Sequence, residues 1–145
     1  FFIGTSMGNR GYSIVLKLFL GKLFINKPLK DYENTIFYNE TKVCFQYARW
    51  SEITRRIFES GACGCCILTN KIPEEKMLGK IFTHNESIIF YSNIFSLVKQ
   101  LFLIFRDKNK IKRIAENSYH IIKNNHTVEK RVERLIEIVD DYKSI

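Results

Sequence analysis

No stretch of this chain reads as a membrane span. Its most apolar run, Ile88 to Phe105, carries Ser92, Asn93, Ser96, Lys99 and Gln100, which are costly in a lipid core. There is no signal-peptide pattern, no internal repeat and no low-complexity linker. Several chemistries are also missing their residues. No Ser/His/Asp or Cys/His arrangement supports nucleophilic catalysis. No GxGxxG fingerprint, RNA-recognition sheet motif or helix-turn-helix signature occurs, and the expected strand ends lack the acidic cluster that phosphoryl chemistry of the receiver kind needs. Histidine is scarce: of the three, His84 and His120 carry no partner pattern, and His126 beside Thr127 reads as a capping or packing residue. Cys63-x-Cys65-Cys66 has no second Cys/His pair at zinc-finger spacing, and strand geometry sends Cys65 and Cys66 to opposite faces, so no metal ligands are assigned.

What is present describes one folded domain, residues 1–145. The composition, 46% hydrophobic and 26% charged, is globular rather than disordered. Cys44, Cys63, Cys65 and Cys66 fall in expected strands and a buried helix end, where a free thiol behaves as a small hydrophobe; a reducing cytoplasm is the simpler setting. Asn39-Glu40-Thr41, Asn85-Glu86-Ser87 and Asn125-His126-Thr127 match the glycosylation sequon, but without a secretory signal they read as chance. The net charge of +8 draws anionic small molecules, acidic membranes and nucleic acids alike. Lys99, Arg106, Lys108, Lys110, Lys112 and Arg113 form a basic patch, either a solvated face or a rest for peripheral contact with anionic lipid. Phe1 opens a strand-like run without an initiator methionine, so a piece of a larger protein with an upstream part missing is expected.

Strands and helices alternate. Strands are expected at 1–5, 22–26, 42–47, 65–69 and 87–91, and helices at 12–20, 31–38, 51–63 and 74–78. Three more helices make up the carboxy-terminal third, with core-facing stripes Ile94/Leu97/Val98/Leu101/Phe105, Ile111/Ile114/Ala115/Ser118/Ile122 and Val128/Val132/Leu135/Ile136/Val139. This pattern implies an α/β fold with a doubly wound parallel sheet and helices on both faces.

Such sheets bind ligands beyond the carboxyl ends of their strands. Three loops leave those ends: 4–10, 48–52 and 69–71. In the first, Gly4 and Gly8 permit close backbone approach and Arg10 can pair with phosphate oxygens; as a bare Gly-rich turn it is a weak signal. Trp50 and Tyr47 could wall the crevice, though packing is the safer assumption. Next comes a helix with Ser51 as its expected N-cap. Its positive end favours a diphosphate, and Thr54, Arg55 and Arg56 add donors. Arg56 and Glu59 share a face, and a plain intrahelical ion pair between them is the bland alternative. Gly61 and Gly64 are read as removing side chains where helix meets sheet, and Cys65-Cys66-Ile67-Leu68 as a strand covered on both faces.

The run Arg56-Ile57-Phe58-Glu59-Ser60-Gly61-Ala62-Cys63-Gly64, followed by Ile67-Leu68-Thr69, resembles the RxFExxACG…LLT signature of glycosyltransferases of the spore-maturation-protein type. These are a branch of the two-domain GT-B enzymes related to glycosyltransferase group 1. Phe2-Ile3-Gly4-Thr5 with Asn9-Arg10 resembles the family's opening strand, Tyr38 to Phe45 a later strand, and Asn125-His126-Thr127 with Arg131 the closing HTxxxR helix start. Residues 11–37 match poorly.

The resemblance implies a Rossmann-like domain, the carboxy-terminal donor half of a GT-B glycosyltransferase, with the acceptor wall and catalytic base on an amino-terminal domain. A nucleotide-diphosphate sugar would be donor substrate and partner, with no cofactor or metal. Its contacts would be Gly4, Arg10, Ser51, Thr54, Arg56 and Glu59. Glu59 takes the vicinal ribose hydroxyls, and Arg56 serves the diphosphate or holds Glu59. Catalytic residues are not assigned. Many relatives carry two glutamates separated by seven intervening residues, the second of them matching Glu59. Here the position of the first is Ser51, and Glu52 is rotated from it by about a hundred degrees. The alternative is a degenerate, non-enzymatic domain binding nucleotide or nucleic acid, although nucleic acid is disfavoured by the missing motifs.

Overall fold

The computed structural model describes residues 2–5, 10–25, 31–48, 50, 52–73 and 78–143. Five strands form the centre: β1 (Phe2–Thr5), β2 (Phe24–Ile25), β3 (Val43–Gln46), β4 (Cys66–Asn70) and β5 (Ile89–Tyr91). Between them run α1 (Arg10–Leu20), α2 (Asp31–Glu40), α3 (Arg55–Ala62) and α4 (Leu78–Ile81); α5 (Ile94–Arg106), α6 (Lys108–Asn125) and α7 (Val128–Lys143) follow. The strands pair in parallel in the order β2-β1-β3-β4-β5. The chain steps from β1 outward to β2 and then returns past it to β3. The direction of winding therefore changes between β1 and β3, and the crevice at their carboxyl ends is the topological switch point.

The central strands are buried because helices cover both faces. Every residue of β3 is buried, as are Cys66 to Thr69 of β4, which is why these segments read as apolar runs rather than alternating ones. On one face Phe45, Leu68 and Ile89 meet Leu16 and Leu20 of α1, Leu97 and Leu101 of α5, and Ile111 and Ile114 of α6. On the other, Ile67 and Ile88 pack with Ile57 of α3, Leu78 of α4 and Ile122 of α6. Tyr38, Cys44 and Cys65 form a smaller cluster beside α2. The doubly wound sheet and its helical carboxy-terminal third stand as expected. Asn93 and Ser96 close a capping box at the start of α5, and Asp107 ends α5 while accepting the Lys110 N–H at 2.8 Å to begin α6.

Several boundaries differ from expectation. Gly21–Leu23 form a 3-10 turn, so β2 keeps only Phe24–Ile25. The strand expected from Ser87 starts at Ile89, because the Ser87 hydroxyl turns back to accept the Thr83 N–H at 2.9 Å. Of the helix expected over 74–78, positions 74–77 lie outside the described residues, and α4 begins at Leu78. In α5, Ile104 takes the buried position expected of Phe105, which is 46% exposed. The α6 stripe is buried as expected. The α7 stripe is not: Val128, Val132, Leu135, Ile136 and Val139 are all exposed, because no described element lies against that face.

The two glycines of the key run have different jobs. At Gly61 a Cβ would overlap Ile122 Cδ1 and stand 2.9 Å from Ser118 Oγ, so its bareness lets α3 close onto α6 and β4. Gly64 faces open space, which corrects the packing role expected of it. Its φ of +78° ends the helix instead: the Gly64 N–H donates to Gly61 O and the Cys65 N–H to Ser60 O, both at 3.0 Å, a Schellman closure.

Candidate functional site at the switch point

The site is built on the joint between β3 and α3. Gln46, the last residue of β3, is buried, and its Nε2 donates to Thr54 Oγ1. Thr54 is the N-cap of α3, extended at φ −86° and ψ 151°, yet its side chain makes no capping hydrogen bond to the helix. The hydroxyl is engaged by the strand instead. An α3 start without a side-chain cap suits an anion that can meet its N–H groups and dipole. From the next strand, Asn70 Oδ1 accepts the Ala48 N–H at 2.6 Å and Asn70 Nδ2 donates to Ala48 O at 3.2 Å, tying the β3–α3 loop to β4. Glu52 Oε2 accepts the Trp50 N–H at 2.6 Å, stiffening the same loop.

The residues singled out in the sequence fall on both sides of this joint. Gly4 pairs in register with Phe45, and Thr5 with Gln46; Arg10 opens α1. Between them, positions 6–9, including Gly8, lie outside the described residues, as does Ser51. The helix cap expected at Ser51 is nonetheless corrected, because 52–54 are not helical and α3 starts at Arg55. The cap position belongs to Thr54.

Arg56 lies in the first turn and Glu59 in the second. The bland alternative is a plain ion pair between them; the pair Glu59 makes is with Arg55, whose Nε sits 2.7 Å from Glu59 Oε1 at four-residue spacing. With the Arg55 side chain 80% exposed, that pair is worth little and can yield to a ligand. The Arg56 charge is felt instead at Tyr38 and Cys44, where it opposes the upward push that burial gives both groups.

Around the site, Tyr47 packs on Tyr12 at 5.3 Å between ring centroids, as the packing reading expects, but Trp50 is 76% exposed. Cys44, Cys65 and Cys66 are buried and Cys63 half-buried, all as free thiols. Burial pushes the Cys44 thiol up to about 11 and the Cys66 thiol up to about 12. Cys65 Sγ donates to Tyr38 O at 3.1 Å. Among the described residues, no group of three His, Cys, Asp or Glu side chains could hold a metal ion.

Gln46 and Asn70 were not among the residues assigned a role from sequence, and Arg55, read there as a donor at the helix start, pairs with Glu59 instead. The signal for the first two is a polar residue closing an apolar strand, in Val-Cys-Phe-Gln and Cys-Ile-Leu-Thr-Asn. Gln46 Oε1 and its register neighbour Thr69 Oγ1 are buried without a hydrogen-bond partner among the described residues.

Comparison with known proteins agrees with this architecture. The structure resembles the carboxy-terminal domain of a glycosyl transferase group 1 family protein (LpcC) from Francisella tularensis, with TM-score 0.57 and 15% identity over 81% of this chain and 60% of that one. It also resembles Anabaena Alr3699/HepE, solved in complex with UDP-glucose, with TM-score 0.65 and 15% identity over 96% of this chain and 40% of that one. The chain thus spans less than two thirds of either structure. No curated protein matches the sequence. The model of one family, described as glycosyl transferase-like, matches residues 6–137. Because that match runs over nearly the whole chain, the chain belongs to the glycosyl transferase-like family.

Proposed function

We propose that this chain is the donor-binding part of a GT-B glycosyltransferase, holding a nucleotide-diphosphate sugar at the carboxyl ends of β1 and β3. The observation that carries the reading is the uncapped start of α3 at the switch point, with Thr54 fixed by Gln46 and Glu59 one turn further on. The diphosphate lies at the α3 start with Arg10 and Arg56 as cations, and the ribose hydroxyls donate to Glu59. Gly4 lets the ligand approach β1, and Ser51 contributes from the β3–α3 loop. Family membership and the UDP-glucose bound by HepE support a nucleotide sugar and make a uridine nucleotide the first to try.

In the transfer step the sugar's anomeric carbon leaves the diphosphate for an acceptor oxygen. The helix dipole and neighbouring cations stabilise the charge that gathers on the leaving group, and this scheme uses no metal or cofactor. The acceptor wall and base belong to a further, amino-terminal domain, so this chain binds donor without turning it over. The resemblance of Arg56-x-Phe58-Glu59 and Ala62-Cys63-Gly64 to the spore-maturation-type signature is what supports that branch in this reading, with action in the cytoplasm or at a membrane surface. No described helix is long and apolar enough to cross a membrane.

A thermal-shift panel of nucleoside diphosphates and nucleotide sugars tests the proposal through linkage. Saturable stabilisation that survives added salt is expected. Binding to any polyanion, lost as salt rises, would instead favour a degenerate nucleic-acid-binding domain.

A further inference from the structure

At the other end of the sheet lies a cavity that the donor site does not use. It has a volume of about 780 Å³ and opens where β3 begins, between the strand starts and the α5–α6 junction. Its walls are apolar: Val43, Ile104, Phe105, Ile111 and Ala115. Its lining also carries three lysines, Lys42, Lys108 and Lys112, against one carboxylate, Glu116, which lies 3.8 Å from the Lys112 ammonium. The four residues of β3 separate this cavity from the α3 start by about 10 Å along the strand.

The surroundings extend both features. Phe102 is 65% exposed and Phe105 46% exposed on α5, and Leu23, which also lines the cavity, is 47% exposed. Exposed apolar side chains of this size beside a basic rim mark an interaction surface. Between positions 99 and 116 there are six cations against Asp107 and Glu116, and Asp107 is committed to capping α6. A cavity of this size suits a small amphiphile. The apolar walls require an alkyl body, and the lysines require an anionic head.

We propose that this cavity takes an acyl chain of an anionic phospholipid from a bilayer surface, with Lys42, Lys108 and Lys112 around the headgroup phosphate and Phe102 and Phe105 entering the interface. A nucleic acid would match the lysines but leave the apolar walls empty. The docked chain lies with the amino ends of its strands on the membrane and the donor crevice turned away from it. Donor and lipid therefore bind without competing.

The test is co-sedimentation of the chain with vesicles of equal parts phosphatidylglycerol and phosphatidylcholine, against vesicles of phosphatidylcholine alone. Binding only to the anionic vesicles is expected, and the double variant Lys108→Glu/Lys112→Glu should weaken it more than about tenfold, each cation near the surface contributing about fivefold. Ala115→Phe fills the cavity without changing charge and should also weaken binding. Because that variant can disturb the fold, a second measurement uses the unaltered chain: phosphatidylglycerol with a nitroxide midway along its acyl chain should broaden the NMR signals of Ile111 and Ala115 but not those of Ile57. Equal binding to both vesicle types, or anionic binding with no broadening at Ile111 and Ala115, overturns the proposal. So does a short RNA bound as tightly as the anionic vesicles and lost with the same two lysines. Nucleoside-diphosphate binding is indifferent to all of these outcomes.

Discussion

The guanidinium of Arg131 lies over the ring of Phe58, 4.4 Å from its centroid, and His126 approaches the same ring at 5.5 Å. Phe58 belongs to the Arg56-Ile57-Phe58-Glu59 segment of α3, and His126 and Arg131 to the segment that turns α6 into α7. Two motifs nearly seventy residues apart in sequence are therefore one packed unit, and the start of α7 is held to α3, the helix of the candidate site. Arg131→Ala should cost about 0.5–1 kcal/mol, the range of an exposed cation–π pair. A double-mutant cycle with Phe58→Leu in urea should recover that coupling; additive losses would deny it.

His126 also makes this joint sensitive to acid. Burial, and then the Arg131 charge, lower its pKa below the ordinary histidine value. The folded state then binds fewer protons than the unfolded chain, so its contribution is present above the unfolded pKa and is lost as pH falls through the folded one. Thermal unfolding should show the midpoint falling on acidification below neutrality, and His126→Gln should reduce that slope. His84, lowered by burial and by Lys110 and Lys71, acts in the same direction.

Glu59→Gln should weaken nucleoside-diphosphate binding by about 1.5–3 kcal/mol, the worth of a hydrogen bond to a charged group, with little loss of stability. Arg55→Ala removes the exposed ion pair and should shift stability by less than about 1 kcal/mol. Calorimetry showing unchanged affinity in a folded Glu59→Gln protein would remove the ribose contact.

The two glycines of the key run should respond differently to alanine. Gly61→Ala forces a Cβ onto Ile122 and Ser118 and should cost about 1–3 kcal/mol through overpacking. Gly64→Ala meets no neighbour and should cost about 1–2 kcal/mol through its left-handed backbone alone. Ile122→Ala should relieve the first loss and leave the second untouched in denaturant titrations.

Thiol reagents should modify Cys63 first, since it is half-buried, while buried Cys44, Cys65 and Cys66 react slowly until denaturant is added. Rapid native labelling of Cys44, whose thiol is pushed up to about 11 by burial, would contradict the packing described for β3.

The sequence by itself determined the α/β class, the covered central strands and the family. Each is written in local pattern: apolar runs in β3 and β4, the buried stripe of α6, and the residues around Phe58 and Glu59. It also placed Gly4, Arg10, Thr54, Arg56 and Glu59 at one end of the sheet, because alternation of strand and helix dictates which loops leave the carboxyl ends. Tertiary structure decided the rest. Periodicity says which α7 residues share a face, but only the neighbouring elements say whether that face is covered, and here it is exposed. The β3–α3 joint shows the same limit at atomic scale. A hydroxyl at a helix start can cap the helix or bond to a strand, and the register that sets Gln46 beside Thr54 chose the strand, moving the helix start from Ser51 to Arg55. Glu59 had two arginines within helical reach, and geometry gave it Arg55. Such choices are made by distances between residues far apart or facing different ways, which no local pattern of residue types encodes.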